Sequence, residues 1–248
     1  MEQTIPVPGG RLWTASEGAG VPVVFISGGP GCCDYLEPAS QPLAGVARTI
    51  RFDARGCGRS SESAQYALET SLSDLEAIRA HYGVDRWVLV GHSAGADMAL
   101  LYAMTHPDRT LGFVCLSGGR IHDDRSWHAE YSRARDAGLE PDLDYAYPPN
   151  LEVNRQLNAA WKAYIKRPSL LRHIAEVQAP ALFVYGDRDI RPSWPCEQVA
   201  ALLPHAEFHM LPGANHNLWL THGEELSQLL RQFLRTLSTD LRVSAPPR

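Results

Sequence analysis

Apolar and polar positions along this chain fall into two rhythms. Over the first fifteen residues they alternate, and the alternation breaks at Gly9-Gly10, which predicts an N-terminal hairpin. Short, nearly continuous apolar runs follow. Residues 21–27 (VPVVFIS), 46–53 (VARTIRFD), 86–91 (RWVLVG) and 111–117 (LGFVCLS) read as buried strands. Helical patterns lie between them: residues 69–82, with Leu72, Leu75, Ile78 and Tyr82 at helical spacing, and ADMALLYAMTHP, which stops near Pro107. Ser71 or Ser73 is the expected cap of the first helix. Apolar strands alternating with helices predict an α/β fold with a mostly parallel sheet covered on both faces.

The rhythm breaks over residues 118–178. WHAEYSRARDAG and NRQLNAAWKAYIKRPSLLRHI read as helices, and the prolines of EPDLDYAYPPN between them rule out a continuous one. The segment is too long for one ordinary crossover, so it is expected to be a helical cap inserted after the sixth strand. The first rhythm then returns. PALFVYGDRD is a strand and a polar loop, CEQVAALLP a helix, AEFHMLPGANH a short strand and a loop. EELSQLLRQFLRTL closes the chain as an amphipathic helix with Leu226, Leu229, Leu230, Phe233 and Leu234 on one face, and the tail after Leu241 is expected to fray. The expected organisation is a core domain of residues 1–117 and 179–248 with the cap at 118–178.

Composition narrows the partners. A chain of 248 residues fits one domain with an insertion. A net charge of -5 and scattered arginines, with no basic stretch, argue against nucleic acid. The segment MEQTIPVPGG lacks the basic start and apolar core of a signal peptide, and no apolar stretch reaches membrane-spanning length. No membrane partner is expected. Cys32, Cys33, Cys57, Cys115 and Cys196 are odd in number and match no zinc spacing, so a reducing, cytoplasmic setting is the simplest. Cys32 and Cys33 adjoin a glycine-rich loop that Cys57 approaches, and ordinary packing is preferred to a redox role. No cofactor or metal is expected, and the choice between monomer and homo-oligomer stays open.

The chemistry is concentrated around Ser93. In Gly91-His92-Ser93-Ala94-Gly95 it follows an apolar run and precedes a helical pattern, the setting of a nucleophile elbow. A serine needs a histidine base and an orienting carboxylate. His216, in the loop after the last strand, leads over His92, His205 and His209. Asp189, in Gly186-Asp187-Arg188-Asp189, is preferred to Asp187 because it lies nearer the loop apex. The developing oxyanion needs donors, for which the backbone N–H groups of Ala94 and Gly29 are the candidates. Trp127, Tyr131, Tyr145, Tyr147, Trp161 and Tyr164 of the cap are candidates to line an apolar pocket, with Trp194 and Trp219 as its wall.

With GGPG at 28–31, DARGCGRS at 53–60, GHSAG at 91–95, GDRD at 186–189 and GANH at 213–216, the chain resembles the α/β-hydrolase fold superfamily, and within it the proline iminopeptidase-like branch. The resemblance implies an eight-stranded, mostly parallel sheet flanked by helices. It implies Ser93 as nucleophile, Asp189 as acid, His216 as base, and Gly29 and Ala94 as oxyanion donors. The chain departs from the branch at Ser27, Ala54 and Ala94, where a histidine, a glutamine and a tryptophan are usual. The branch binds a substrate amine with acidic cap residues; Glu130 is the best match here, over Glu140 and Glu152. The implied activity is that of an aminopeptidase acting on a short peptide. The alternatives are an ester or lactone hydrolase acting on a small apolar metabolite, and a non-catalytic ligand-binding homologue.

Overall fold

The computed structural model describes residues 1–141 and 143–243. Among them eight strands form one sheet: β1 (Glu2–Val7), β2 (Gly10–Gly18), β3 (Val21–Ile26), β4 (Ala47–Phe52), β5 (Trp87–His92), β6 (Thr110–Leu116), β7 (Ala181–Gly186) and β8 (Ala206–Leu211). Their order in space is β1-β2-β4-β3-β5-β6-β7-β8. The β1–β2 hairpin turns through Pro8 and Gly9, where a φ of 77° suits glycine. It pairs antiparallel with β4, and every other pairing is parallel.

Among the described residues eight α-helices accompany this sheet: α1 (Glu37–Ser40), α2 (Leu68–His81), α3 (Ala94–Thr105), α4 (Arg125–Asp136), α5 (Leu151–Tyr164), α6 (Leu170–Ala175), α7 (Trp194–Leu202) and α8 (Trp219–Val243). The central strands are apolar at successive positions because both faces are covered. Val24, Ile26, Leu89, Phe113 and Phe183 pack against Leu75 and Ile78 of α2, Leu100 of α3 and Val199 of α7. Val23, Phe25, Val88, Val90, Val114 and Val184 point the other way, onto Leu226, Leu230, Leu234 and Leu237 of α8. α4, α5 and α6 form a helical insertion after β6, which completes the topology that the resemblance implied.

Three boundaries differ from expectation. α2 starts at Leu68 after Ala67, which makes no side-chain cap; Ser71 instead turns its hydroxyl back to the Ala67 carbonyl at 3.2 Å, inside the helix. The second long helix of the insertion is two, α5 and α6, because Pro168 lacks the N–H that would carry the ladder across. α8 begins five residues before Glu224, at Trp219, bends at His222 (φ -127°, ψ 37°) and continues through Val243; residues 244–248 of the tail lie outside the described residues.

The DARGCGRS motif is a clamp between loops. Buried Asp53 accepts the N–H of Asp34 at 2.6 Å, from the loop after β3. It also accepts the Arg59 N–H at 2.8 Å and Nε at 2.6 Å. Arg59 in turn lies 3.1 Å over the Trp13 ring. Arg55 pairs with buried Asp74 of α2 at 2.5 Å and donates to the Pro8 carbonyl at 2.9 Å. The clamp sets the glycine-rich loop that follows β3. Among the described residues no helix is long and apolar enough to cross a membrane.

Candidate active site

Two serines sit at the carboxyl ends of neighbouring strands with left-handed backbones, Ser93 after β5 (φ 55°) and Ser117 after β6 (φ 48°). This is strained for a residue with a Cβ, and the surroundings enforce it. The Ser93 N–H donates to the Leu116 carbonyl at 2.9 Å, and that of Ser117 to Val184 at 2.9 Å. The turn at Ser93 is tight enough that only glycine fits beside it. A Cβ on Gly95 would lie 2.0 Å from the Ile26 carbonyl oxygen, and one on Gly91 would lie 2.1 Å from that of Gly95. The two hydroxyls differ in what they do. Both border one cavity, but Ser117 donates to the backbone carbonyl of His216 at 2.9 Å, whereas Ser93 also lines a second cavity together with His216.

Asp189 and His216 form a pair across the loops after β7 and β8. The His216 Nδ1–H donates to Asp189 Oδ2 at 2.6 Å, which leaves Nε2 as the acceptor. The Asp189 carboxylate is fully buried, and its other oxygen accepts the Arg191 N–H at 3.0 Å and Nη1 at 3.3 Å. Asp187, the rival acid, accepts the Gly213 N–H at 2.6 Å and so ties the two loops together instead. Serine, histidine and aspartate are thus gathered as in a serine hydrolase.

His92 is a strut. Gly28 donates its N–H to the Tyr35 hydroxyl at 2.6 Å, Tyr35 donates to His92 Nδ1 at 2.8 Å, and His92 Nε2–H donates to the His216 carbonyl at 3.0 Å. The acceptor roles at both ends assign this tautomer. Burial, with the His216 charge, holds His92 well below the usual imidazole range, so it stays neutral. The relay connects the glycine loop to the backbone of His216. Sequence reasoning named His92 only as an unlikely base and gave Tyr35 no role; only the tertiary fold brings the two within hydrogen-bond reach.

The glycine loop is held from the other side by the insertion. Asn154 of α5 donates to the carbonyls of Gly29 and Pro30, both at 2.8 Å. Asn150 donates its N–H to Gly31 at 2.8 Å and its side chain to Gly56 at 2.9 Å. Gly29 has a φ of 115°, and a Cβ on Gly31 would meet the Asn150 carbonyl at 2.4 Å, so these glycines serve both the turn and the close approach. Gly29 and Ala94 both border the cavity at Ser93, and Ala94 is the first residue of α3, where N–H groups lack intrahelical partners.

A cavity of about 290 Å³ runs from Ser93 beneath the insertion. Of the expected pocket residues, Trp127 and Tyr131 border it. Trp161 instead borders a small apolar recess of about 40 Å³ with Leu68, Met98 and Leu157. Trp194 packs against His122 with ring centres 4.8 Å apart, and Trp219 stacks on Tyr35, so neither is a wall of these spaces. Glu130 is exposed on α4, a helix that buries Trp127. Glu140 of the insertion borders the cavity shared by Ser93 and His216, and it pairs with Arg191 at 2.6 Å. Burial opposes the Arg191 charge, yet the Glu140 hydrogen bond and the Asp189 charge more than offset it.

Asp97, Arg120 and Arg191 border the cavity and were missed by the sequence reading. Burial, against the opposing charge of Arg120, pushes the Asp97 carboxyl up to about 7. The five cysteines are free and buried. Burial raises the Cys32 thiol and pushes Cys57 up to about 12, which suppresses thiolate chemistry. Among the described residues no group of three or more His, Cys, Asp or Glu is placed to hold a metal ion.

Residues 21–147 match the family model described as alpha/beta hydrolase fold. The chain is 39% identical over 104 residues to a probable proline iminopeptidase of Leptolyngbya boryana, a match that covers 38% of this chain and 30% of that protein's length. The solved structure of a proline iminopeptidase from Mycobacterium smegmatis superposes with a TM-score of 0.75 at 18% identity, over 97% of this chain and 100% of that one. An enzyme described as degrading N-acyl homoserine lactones superposes with a TM-score of 0.72 at 25% identity, over 93% and 100%.

Proposed function

Since the chain belongs to the alpha/beta hydrolase fold family, we propose that it is a serine hydrolase of small carboxylic esters or lactones, with Ser93 as nucleophile, His216 as base and Asp189 as acid. In this reading the insertion, residues 118–178, is the cap over the site. His216 Nε2 takes the Ser93 proton as the hydroxyl attacks the carbonyl, and Asp189 stabilises the imidazolium that forms. The N–H groups of Gly29 and Ala94 hold the oxyanion. His216 returns the proton to the departing alkoxide, an acyl-enzyme forms on Ser93, and water releases the acid by the same steps in reverse. The observation that carries this reading is the Asp189–His216 hydrogen bond of 2.6 Å beside a cavity shared by His216 and the elbow serine. Ser117 is excluded as nucleophile in this scheme because its hydroxyl serves the His216 backbone.

The ester is preferred to a peptide because of the charges around Ser93. An N-terminal ammonium needs anions, and Asp189 and Glu140 are both committed to Arg191 or His216. Arg120 would repel it, and Asp97 on the same wall is engaged by the backbone N–H groups of Gly119 and Arg120. The likeness to the N-acyl homoserine lactone-degrading enzyme agrees with an ester bond. A second reading, a proline iminopeptidase-like aminopeptidase, is favoured by the 39% identity to the Leptolyngbya boryana protein. Five free thiols favour a reducing compartment such as the cytoplasm. Parallel turnover of a short-chain aryl ester and a proline arylamide separates the readings. Ester cleavage that disappears in Ser93→Ala is the expected result. Arylamide cleavage alone would replace it with the peptidase, and full activity in Ser93→Ala would remove the mechanism.

A further inference from the structure

One charge beside Ser93 has no part in this catalytic scheme. Arg120 follows β6 in the loop Gly118-Gly119-Arg120 and borders the cavity of about 290 Å³. Its guanidinium carbon lies 4.2 Å over the centre of the Trp127 ring, which fixes where the group sits. A guanidinium carries five N–H donors. Among the described residues one of them is used, by Nη1 toward the His122 carbonyl at 3.3 Å. No carboxylate among those residues is paired with it, although the other guanidinium on the cavity wall, that of Arg191, has two. Arg191 is matched by Glu140 and Asp189, and His128 is bonded to Asp123 at 3.0 Å.

Asp97 is the remaining acid on the wall, and its carboxylate is turned to the backbone and makes no ion pair with the Arg120 guanidinium. Its Oδ1 accepts the backbone N–H groups of Gly119 at 3.1 Å and Arg120 at 3.0 Å. Burial has pushed its carboxyl up to about 7, so much of it is uncharged at neutral pH. The Arg120 guanidinium is therefore a positive charge at a fixed point of the wall with no ion-pair partner among the described residues. Charges in such a semi-enclosed space act more strongly than in water.

We propose that Arg120 binds a carboxylate on the substrate, so that the preferred substrates are small esters that also carry a free acid group, such as monoesters of short dicarboxylic acids. The inference rests on the ester reading of the same site. Water adds across the ester bond, the alcohol leaves with the proton delivered by His216, and the product is the dicarboxylic acid. The guanidinium holds the spectator carboxylate by charge-assisted hydrogen bonds while the ester carbonyl lies at Ser93. Trp127, on which Arg120 rests, is thereby a positioning residue.

The test compares monomethyl glutarate with methyl pentanoate, which has the same acyl length and no second acid, by acid release at neutral pH. The wild type is expected to favour the glutarate monoester by about 10- to 100-fold in kcat/KM, mainly through KM. Arg120→Met, which keeps the apolar stem over Trp127, is expected to erase that ratio, and Arg120→Lys to keep part of it. Calorimetry with glutarate gives a readout free of turnover: binding to the wild type, weakened about tenfold or more in Arg120→Met. A wild type that favours methyl pentanoate, or a ratio unchanged in Arg120→Met, overturns the proposal and leaves the ester reading standing. If neither ester is cleaved, the ester reading fails. The carboxylate site is then sustained by glutarate binding that needs Arg120, and overturned by its absence.

Discussion

The sheet and the helical insertion above it are held in different ways. Strands β3, β5, β6 and β7 bury apolar side chains on both faces, against α2, α3 and α7 on one side and α8 on the other. In the insertion α4 buries Trp127 alone, and α5 buries Val153 and Trp161. α6 joins the sheet core through Leu170 and Ile174, and Trp161 packs on Leu68 and Leu101. Over the site the hold is polar: Asn150 and Asn154 on the glycine loop, Glu140 on Arg191, and the Trp127 indole N–H on the Pro192 carbonyl at 2.9 Å. Those anchors land on the loops proposed to carry the oxyanion donor and the acid. The sheet thus sets which atoms react, while the insertion sets how steadily two of the loops present them.

The largest expected effect tests the division within the sheet itself, between its two strained serines. Ser93→Ala should lower kcat by a factor on the order of 10⁴ or more. Ser117→Ala removes one of two hydrogen bonds to the His216 carbonyl, since His92 supplies the other, and should cost about tenfold. Steady-state kinetics on one ester with both variants decides it. Equal losses would mean that Ser117 takes part in the chemistry.

The next effect contrasts packing in the two regions. A Cβ on Gly95 would meet the Ile26 carbonyl oxygen at 2.0 Å in the most tightly packed part of the molecule. Gly95→Ala should cost about 3 kcal/mol or more in urea unfolding. Gly138, which ends α4, has a φ of 69° and open space around it, so Gly138→Ala should cost about 1 kcal/mol, from backbone strain alone. Similar costs at both sites would erase the distinction between a packed sheet and a loosely packed insertion.

Asp97 lies where the two regions meet and gives the comparison a pH signature. It faces Arg120 from the loop after β6, Cys115 on β6 and Cys196 on α7, and shares a cavity wall with Tyr185 and Arg191. Burial raises its folded pKa to about 7, against about 3.9 in the unfolded chain. Below the unfolded value both states hold the proton, and Asp97 costs nothing. As pH rises to about 7 the unfolded chain ionises first, so stability falls; above that it levels off. The linked loss is on the order of 2–4 kcal/mol. Asp97→Asn should flatten that stretch of the stability curve, as read by urea melts across acid to neutral pH. A wild-type curve with no decline there would place the carboxyl in water.

How much of this was legible follows the same division. The strands announced themselves because a sheet covered on both faces needs apolar residues at successive positions, and the elbow because only glycines fit at Gly91 and Gly95. Asp189 and His216 were legible because loops at strand carboxyl ends are where such a sheet gathers its chemistry. Arg120, Arg191 and Asp97 carried no such signal. Arg191 stands two residues beyond Asp189 and reads as a surface turn until Glu140, 51 residues earlier, is brought against it. Glu130 stays exposed although Trp127 and Tyr131 border the cavity, because on the helix it is turned about 100° from Tyr131 and about 60° from Trp127. The DARGCGRS motif was legible as a likeness but not as a clamp, since Asp34 and Trp13 reach it only through the sheet.

The smallest effect tests whether the polar anchors reach the chemistry. Asn154 is the one side chain of the insertion that bonds both the Gly29 and Pro30 carbonyls. Its own carbonyl oxygen is steadied by Asn158 Nδ2 at 3.1 Å, one turn along α5. Pro30 lacks an N–H and the Gly29 N–H belongs to the plane of the Gly28 carbonyl, so Asn154 acts on that donor from one plane away, by fixing the Gly29 backbone through its carbonyl. Asn154→Ala frees two carbonyls to water at the rim of the cavity, where they can be resolvated, so the loss of stability should stay near 1 kcal/mol. The loop then has more orientations than the one that suits an oxyanion, and kcat should fall about tenfold, equivalent to about 1.4 kcal/mol of transition-state stabilisation, with KM little changed. Asn154→Asp keeps the size but replaces the donor with an acceptor facing two carbonyls, and should be worse than alanine. A variant that loses stability but keeps kcat would make the insertion a lid that rests on the site; the opposite split would make its polar anchors part of how the oxyanion is held.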